Sequence, residues 1–296
     1  MATLLCFGLG YSAQHWLACY GGRFEHIWAT VREAAHVAEL NARARPGFTA
    51  WPFDGATVSS DLRAAVAQAD AMLVSVPPNA AGDPVLQTCG DALTRARLSS
   101  IVYLSSVGVY GNYDGAWVDE DSACRPVKDH NAHRLVAERA WQELGARTGA
   151  PVAILRLAGI YGPGRSALDN VRRGTARRIA KPGQVFNRIH VTDVARTIEA
   201  AFERRANGIF NVVDDEPTPA GDPIVFAARL IGVEPPPEIP FDQARGTMSE
   251  FAASFYTDVK RVRNSKLKSA LGVTLRYPTY REGLAALFRA GEQIAR

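Results

Sequence analysis

The sequence predicts an α/β fold: a doubly wound parallel sheet with helices on both faces, and a smaller subdomain towards the C-terminus. Over the first 160 residues, short apolar runs rich in β-branched residues alternate with longer helical patterns, which is typical of successive β-α-β units. These runs are almost continuously apolar, as in parallel strands that helices cover on both faces. The length of 296 residues and the 47% hydrophobic content are those of an ordinary globular protein of about two domains.

The elements of the first half follow in order from this alternation. The run LLCFG at 4–8 predicts a strand because it is apolar and ends at a glycine. The segment 33–44 predicts a helix because it is rich in Ala and Glu, which are strong helix formers. By the same reasoning, strands are predicted at 4–8, 27–31, 48–53, 71–76, 101–104 and 152–157. Helices are predicted at 11–20, 33–44, 61–69, 85–96 and 131–148.

After residue 160 the alternation loosens, because GPG at 162–164 interrupts the chain. Strands are predicted at 189–191 and 209–213, helices at 192–204 and 223–231, and a proline-rich connector at 234–240. We therefore assign residues 1–160 and 186–215 to the sheet domain. Residues 161–185 and 216–296 are assigned to the smaller subdomain.

The composition excludes several classes of protein. No run approaches the ~18 apolar residues that a membrane span needs, and residues 1–10 lack the basic start of a signal peptide. The four cysteines, at 6, 19, 89 and 124, show no C-x-x-C spacing. We therefore expect reduced, mostly buried thiols in a cytoplasmic protein, with neither a disulfide framework nor a metal site.

The net charge of +4 is unevenly distributed. Residues 165–188 carry seven basic side chains against one acid, Asp169, so that segment is +6 and the rest of the chain is −2. A single basic segment fits a local anion, such as a phosphate or carboxylate of a small-molecule substrate; a solvated cationic loop is the alternative. Because Phe186 is its one aromatic residue, we do not expect nucleic-acid binding.

The hexapeptide GLGYSA at 8–13 lies between the first predicted strand and the first predicted helix. It matches G-x-G-x-x-A, the dinucleotide-binding pattern of Rossmann domains. Gly8 would permit the tight turn, and Gly10 would leave room for a pyrophosphate to approach the backbone. The free N–H groups of Tyr11, Ser12 and Ala13 would then face the phosphates at the helix N-terminus. The sheet domain is thus predicted to bind a dinucleotide.

The ends of the next strands favour NADP as the cofactor. The second strand ends in ATVR, and the guanidinium of Arg32 suits a 2′-phosphate, whereas an acidic residue there would favour NAD. NAD remains the alternative if Arg32 is only a surface residue. Asp54, after the third strand, is placed to accept a hydrogen bond from the adenine amine. Val76, Pro77 and Pro78, after the fourth, are placed along the nicotinamide ribose.

Six ordered segments resemble one family, the extended short-chain dehydrogenases/reductases, or NAD-dependent epimerase/dehydratase family. They are SSVGVYG at 105–111, LRLAGIYGPG at 155–164, IHVTDV at 189–194, GIFNV at 208–212, SKLKSALG at 265–272, and YP with EGL between 277 and 284. The resemblance implies a nicotinamide cofactor beside Ser105, a substrate-binding role for the smaller subdomain, and a homodimer packed through helices beside the sheet.

The chain departs from that family at its catalytic pair. The resemblance implies a Tyr-x-x-x-Lys on the helix after the fifth strand, but the matching positions hold His130 and Arg134 in HNAHR. Ser106 is retained, and Tyr110 is placed to line the substrate cleft. His130 is a candidate acid/base because imidazole titrates near neutrality. Arg134 cannot exchange a proton but can hold the cofactor ribose and a positive charge.

Three residues and one acidic cluster near these motifs are expected to be structural. Tyr161 is expected to pack on the sheet, and Asp193 to cap the helix that begins at 192. His190 is expected to be structural, and the acidic residues 119–121 to form a solvated loop.

Two functions remain open at this point. The first is an NADP-linked oxidoreductase, epimerase or dehydratase that acts on a small, anionic or nucleotide-sugar-like substrate. The second is a non-catalytic dinucleotide-binding sensor or regulator, because His130 and Arg134 replace the usual pair. The first predicts turnover of a carbonyl compound, and the second predicts cofactor binding without turnover.

Overall fold

The computed structural model describes residues 2–294, and it contains a seven-stranded parallel sheet. The order across the sheet is β11-β7-β5-β4-β1-β2-β3. These strands are β1 (Thr3–Phe7), β2 (His26–Val31), β3 (Phe48–Pro52), β4 (Ala71–Val74), β5 (Ser100–Ser106), β7 (Val152–Leu157) and β11 (Gly208–Val212). The predicted doubly wound Rossmann fold is therefore confirmed, with each predicted strand within two or three residues of its observed bounds.

Six shorter strands pair outside the main sheet. They are β6 (Trp117–Val118), β8 (Gly159–Tyr161), β9 (Arg178–Ala180), β10 (Arg188–His190), β12 (Glu238–Pro240) and β13 (Arg261–Val262), and they pair as β10-β8, β12-β9 and β13-β6. The last pair joins residue 117 to residue 261, so it links the sheet domain to the C-terminal region.

Twelve α-helices are found in the part of the chain that the structure describes. They are α1 (Tyr11–Tyr20), α2 (Ala34–Ala42), α3 (Ser60–Gln68), α4 (Pro84–Arg95), α5 (Asp129–Thr148), α6 (Ala167–Arg172), α7 (Val191–Glu203), α8 (Asp222–Leu230), α9 (Phe241–Arg245), α10 (Glu250–Ser254), α11 (Ser265–Ala270) and α12 (Tyr280–Ile294). Local chemistry sets several ends. Asp83 caps α4 through the N–H groups of Val85 and Leu86, and Gly149 ends α5 in the left-handed conformation.

Alternate residues of each central strand supply two hydrophobic cores, one on each face of the sheet. Leu4 and Cys6 belong to the core that packs against α1 and α7, whereas Leu5 and Phe7 belong to the core under α3, α4 and α5. Trp16 of α1 stacks on Phe202 of α7 at a centroid distance of 5.2 Å. This period-2 alternation is why the strands read as continuously apolar.

The strand order reverses between β1 and β4. Leu4 of β1 pairs with Ile27 of β2 on one side and with Ala71 of β4 on the other. The loops after β1 and β4 therefore run to opposite faces of the sheet and leave a crevice between them. Ligands of doubly wound sheets bind at such a switch point, outside the carboxyl ends of the strands. The glycine loop at 8–13 lies at this position.

The C-terminal region divides differently from the sequence assignment. Leu267, Leu271, Val273 and Leu275, which we assigned to the smaller subdomain, belong to the core beneath the main sheet. The separate small core is built instead from α6, α8 and α12, around Leu168, Ala227 and Leu284 among others. The chain thus returns to the sheet domain after residue 256, a tertiary contact that periodicity does not reveal.

The prediction for Asp193 is wrong. The side chain that caps α7 is His190, whose Nδ1 accepts the N–H of Thr192 at 3.1 Å. Asp193 lies in the first turn, fully buried, and its carboxylate accepts the N–H groups of Arg276 and Tyr277 at 2.7 and 3.0 Å. It therefore ties the C-terminal segment to α7.

The four cysteines are all unpaired. Cys6 and Cys89 are buried, Cys124 is half-buried and Cys19 is exposed, so burial is confirmed for two of them only. Within residues 2–294, no helix is both long and apolar enough to span a membrane.

Candidate functional site

The glycine loop forms the centre of the site. Gly8 has φ +88°, and a Cβ there would lie 2.7 Å from Ser75 Oγ, so the turn admits only glycine. Gly10 has nothing within 4 Å of its Cβ position, and no side chain caps α1. The N–H groups of the first turn therefore have no helical partner. This open, uncapped end is the cradle that a pyrophosphate requires.

One cavity of about 550 Å³ extends from the loop across β2 and β3; we call it the cofactor groove. Arg32, Asp54 and residues 76–78 all line it, together with Gly8 and Gly10. Arg32 is exposed, and its guanidinium makes no hydrogen bond or ion pair to any described residue. The Asp54 carboxylate accepts the N–H groups of Thr57 and Ala56, which lower its pKa.

Sequence reasoning missed four residues of this groove. Thr30 Oγ1 accepts the N–H of Gly8 at 2.9 Å, and Ser75 Oγ donates to the carbonyl of Gly8 at 2.6 Å. Both hold the glycine turn in place. Glu33 and His36, beside Arg32 at the start of α2, also line the groove. Their position shortly after the second strand was the feature of the sequence that could have identified Glu33 and His36 as groove residues.

A second cavity of about 300 Å³ continues from the first, sharing Gly10 and Ser75 with it; we call it the inner cavity. Its walls include Tyr11, Ser12, Ala13, Ser105, Ser106 and Arg134. The structure thus brings the predicted phosphate-binding residues and Ser105 together with two predicted catalytic residues, Ser106 and Arg134. Tyr11 donates to the carbonyl of Pro163 at 3.1 Å, so its side chain also closes the cavity against the 162–165 loop.

The two consecutive serines have different partners. Ser105 is buried, and its hydroxyl donates to the Glu138 carboxylate, which is also held by Arg156 at 2.7 Å. Ser106 Oγ accepts the N–H of Gly108 at 3.0 Å, which leaves its hydroxyl proton free to donate into the cavity. Ser106 is therefore the serine that is available to a substrate.

Arg134 lies on the wall of the inner cavity, where Nη1 donates to the carbonyl of Leu104 at 2.8 Å. The bond fixes one end of the guanidinium to the sheet, and its remaining N–H groups are not used by any described residue. His130, one turn earlier, lines none of the cavities described here. It is exposed, its ring lies 5.8 Å from that of Phe251, and partial burial, then Lys128 and Arg134, lower its pKa.

Tyr110 is reassigned from the candidate catalytic residues to the core. It is fully buried, and its hydroxyl donates to Asn211 Oδ1 at 2.7 Å while the Arg156 guanidinium lies 4.8 Å from the ring centre. Burial raises its pKa to about 12. The motif position after Ser106 suggested a cleft residue, but the short helical turn at 107–110 directs the ring inwards.

A third cavity of about 420 Å³ adjoins the inner cavity through Ile160 and Arg165; we call it the basic cleft. Arg165, Arg173 and Arg188 line it, together with Tyr161, Phe186 and Tyr256. The basic segment therefore does reach a cavity, as the sequence suggested. Among residues 2–294, no group of three or more His, Cys, Asp or Glu side chains is placed to hold a metal ion.

Tyr161 and Glu120 were both expected to have structural roles rather than functional ones. Tyr161 is buried, with its ring 5.0 Å from that of His190, as expected of a packing residue. Glu120 is not simply solvated: its carboxylate accepts the N–H of Asn211 on the edge strand β11 at 2.7 Å.

Comparisons with known proteins agree with this fold. The model of the NAD dependent epimerase/dehydratase family matches residues 85–212. A solved structure of a functionally unknown conserved protein from Silicibacter pomeroyi is 40% identical, with a TM-score of 0.85, and the match covers 99% of this chain and all of that one.

Two further proteins are more distant. A 3-diazoavenalumate denitrifying reductase from a Streptomyces species is 32% identical over 160 residues. The match covers 51% of each protein, so this chain aligns with about half the length of that reductase. The structure of MoeE5 with UDP-glucose and NAD has a TM-score of 0.76 over all of both chains at 21% identity, which shows a common fold.

The fold, the glycine loop and these comparisons agree. A nicotinamide dinucleotide suits the cofactor groove, since an uncapped helix start and an open glycine border this groove at the switch point. Residues 85–212 carry a domain of the NAD dependent epimerase/dehydratase family.

Proposed function

We propose that the protein is an NADP-linked oxidoreductase, or a related epimerase or dehydratase, that acts on a small anionic substrate. The observation that carries the proposal is the continuity of three cavities: the inner cavity shares Gly10 and Ser75 with the cofactor groove, and Ile160 and Arg165 with the basic cleft. A cofactor in the first and an anion in the last would meet beside Ser106. The reductase from Streptomyces supports a redox reaction.

The residues of the inner cavity suit a substrate that carries a carbonyl or alcohol oxygen. A bound nicotinamide supplies or accepts hydride. Ser106 would donate a hydrogen bond to the substrate oxygen, since its own oxygen already accepts from Gly108. Arg134 would stabilise negative charge on that oxygen without exchanging a proton. His130 lines none of the three cavities, so it is not part of the proposed site.

NADP is proposed over NAD because Arg32 faces the cofactor groove without a partner among the described residues. His36 adds a second donor on the same wall, whereas Glu33 adds an acceptor that suits a ribose 2′-hydroxyl. A preference for NADPH with measurable NADH binding follows from this combination.

Calorimetric titration of the purified protein with NADPH, NADH and their oxidised forms tests the proposal. Exchange of Arg32 for Asp should weaken NADPH binding about tenfold or more and leave NADH binding unchanged or stronger, because one charge-assisted hydrogen bond is lost and a repulsion is added. Arg97→Asp, exposed and outside the three cavities, is the matched control. Equal losses for both nucleotides would remove Arg32 from the 2′-phosphate site, and no binding of any form would end the proposal.

A non-catalytic dinucleotide sensor is the second candidate. It is favoured by the composition of the inner cavity, whose described walls carry hydroxyl and guanidinium groups but neither carboxylate nor imidazole. A panel of carbonyl compounds offered with NADPH separates the two. Stereospecific turnover that Ser106→Ala lowers by about a hundredfold would support the enzyme, and tight cofactor binding with no turnover across the panel would support the sensor.

A further inference from the structure

We propose that the basic cleft accepts an aromatic carboxylate, whose carboxylate lies between Arg165 and Arg173 and whose ring lies against Phe186 and Tyr256. This inference rests on the proposed function, because it names the substrate class of the same enzyme. It concerns a cavity that is separate from the cofactor groove. The charge of the segment, the aromatic side chains and the size of the cleft carry it.

Most of the basic segment is occupied by structural contacts. Arg188 donates to the carbonyls of Phe186 and Pro219 and to both oxygens of Thr218. Arg178 pairs with Glu238 at 2.9 Å, Arg177 donates to Thr247, and Lys181 to the carbonyl of Tyr256. Arg177, Arg178 and Lys181 do not line the cleft, and the guanidinium of Arg188 is already engaged by these protein oxygens.

Two arginines on the cleft wall have most of their N–H donors unused by the described residues. The side chain of Arg165 makes no hydrogen bond or ion pair with the residues that the structure describes; it lies over the Tyr11 ring at 5.8 Å. Arg173 uses Nη2 alone, for Asn170 Oδ1 at 3.0 Å. A planar guanidinium matches the two oxygens of a carboxylate, and both of these guanidiniums border the same cleft.

The remaining wall is aromatic. The rings of Phe186 and Tyr256 meet edge to face at 5.1 Å, and Tyr256 stacks on Phe241 at 4.9 Å. Phe241 thus holds the Tyr256 ring in place from behind, and both Phe186 and Tyr256 border the cleft. Such a preformed aromatic corner favours a planar, apolar group, which prefers offset or edge contacts with rings.

The size of the cleft points in the same direction. Its volume of about 420 Å³ lies near the small end of ligand pockets, which run from ~300 to ~1,000 Å³. Because Arg165 and Ile160 border both the cleft and the inner cavity, a ligand anchored at Arg165 reaches towards Ser106 with its other substituents. A small aromatic acid would fill this space, with its carboxylate at the two arginines and its ring against the two aromatic side chains.

Four probes separate the contributions of charge and ring, measured by calorimetry with and without NADPH. They are 3-phenylpropanoate, 3-phenylpropanol, hexanoate and UDP-glucose. We expect 3-phenylpropanoate to bind about tenfold tighter than the neutral alcohol or the aliphatic acid, because each of these lacks one matched contact. Binding of UDP-glucose in preference to 3-phenylpropanoate, or equal binding of hexanoate, would overturn the proposal.

Two arginine variants test where the carboxylate of the ligand binds. Arg173→Gln should reduce the advantage of the acid over the alcohol from about tenfold to about twofold, because a charge-assisted bond is lost. The neighbouring Arg172→Gln, whose side chain lies beside Gly291 and outside the cleft, should leave it unchanged. Equal effects of the two variants would overturn the assignment.

Phe186→Leu, which retains apolar bulk, should weaken 3-phenylpropanoate but not hexanoate, and equal losses would exclude the aromatic contact. If NADPH fails to bind while 3-phenylpropanoate binds as described, the proposed function falls and the cleft assignment stands.

Discussion

At the scale of single residues, Gly8 and Gly10 of the glycine loop are needed for different reasons. Gly8 is required by conformation and by contact, since its φ is +88° and its Cβ position lies 2.7 Å from Ser75 Oγ. Gly10 has ordinary φ, −86°, and open space around it. The fold therefore requires the first glycine, whereas only a ligand would require the second.

This difference predicts opposite outcomes for two alanine exchanges. Gly8→Ala should lower the free energy of unfolding by about 1–3 kcal/mol, the cost of forcing an L-residue into this conformation. Gly10→Ala should leave it within about 1 kcal/mol but weaken NADPH binding about tenfold or more, since a methyl would fill the space for the pyrophosphate. Urea denaturation and calorimetry check both; a fully stable Gly8→Ala would refute the account of the turn.

At the scale of elements, the N-terminus of α7 depends on an uncharged histidine. His190 accepts the N–H of Thr192 through Nδ1, and burial, followed by the charges of His15 and Arg276, lowers its pKa to about 4. The unfolded imidazole binds a proton below about pH 6.5. Between pH 6.5 and 4 the unfolded state therefore holds more protons, and acidification lowers stability.

His190→Asn tests this dependence, because Asn retains a capping acceptor without titrating. Between pH 6.5 and 4 the wild type should lose up to about 3 kcal/mol more than the variant, at ~1.4 kcal/mol per pH unit. The measured quantity is the difference in stability between the wild type and the variant, because a second group titrates in the same range. Burial raises the pKa of Asp214 to about 8, so the Asp214 carboxyl stabilises the folded state of both proteins increasingly as the pH falls. Parallel stability–pH curves for the two proteins would contradict the neutral cap.

Helix α5 and strand β7 are joined by a buried ion pair. Glu138 and Arg156 are almost fully buried, 2.7 Å apart, and Glu138 also accepts from Ser105. Removing one partner leaves the other charge without compensation. Glu138→Gln or Arg156→Met should each cost about 3–5 kcal/mol, whereas the double exchange Glu138→Leu with Arg156→Met should cost much less. Additive losses in urea denaturation would show that the pairing itself contributes little.

At the scale of the whole molecule, the chain closes back on the sheet domain. Asp193, fully buried, accepts two backbone N–H groups from residues 276–277, and the segment 261–275 joins the core beneath the sheet. The small core of α6, α8 and α12 borders Tyr161, whose ring lines the basic cleft. The position of the cleft wall thus depends on how the C-terminal segment is held.

Asp193→Ala should therefore destabilise the protein by about 1–3 kcal/mol, because two donors lose their acceptor. It should also raise the rate of amide hydrogen exchange selectively in residues 276–284. Asp193→Asn, which keeps an acceptor, should restore most of both. Uniform acceleration across the sheet, with no selective effect in that segment, would argue against this tie.

Much of the fold was predictable from local pattern. The apolar runs, the glycine loop and the Ala- and Glu-rich helices predicted the strands of the main sheet and the helices between them, because strand and helix periodicity are properties of short windows. The short elements β6, β8, α6 and β9 were not predicted. Arg32, Asp54 and residues 76–78 of the cofactor groove were predictable for the same reason: each follows the end of a parallel strand, and those ends meet at one edge.

The failures have a common physical cause. Tyr110, Asp193 and His130 were assigned by motif position, but the direction of a side chain depends on which surface packs against it. The buried contact with Asn211, the tie to residues 276–277 and the exposed contact with Phe251 all join segments more than 80 residues apart. Likewise, the +6 charge of 165–188 was visible, but not which cations were already paired.

The sequence by itself determined the parallel sheet, the glycine loop and the resemblance to the epimerase/dehydratase family, because each depends on short, ordered patterns along the chain. The tertiary structure alone decided which serine is free, which arginines face the cleft, and how the C-terminal segment joins the core. Those outcomes depend on long-range contacts and desolvation, which bring together residues that no local window contains.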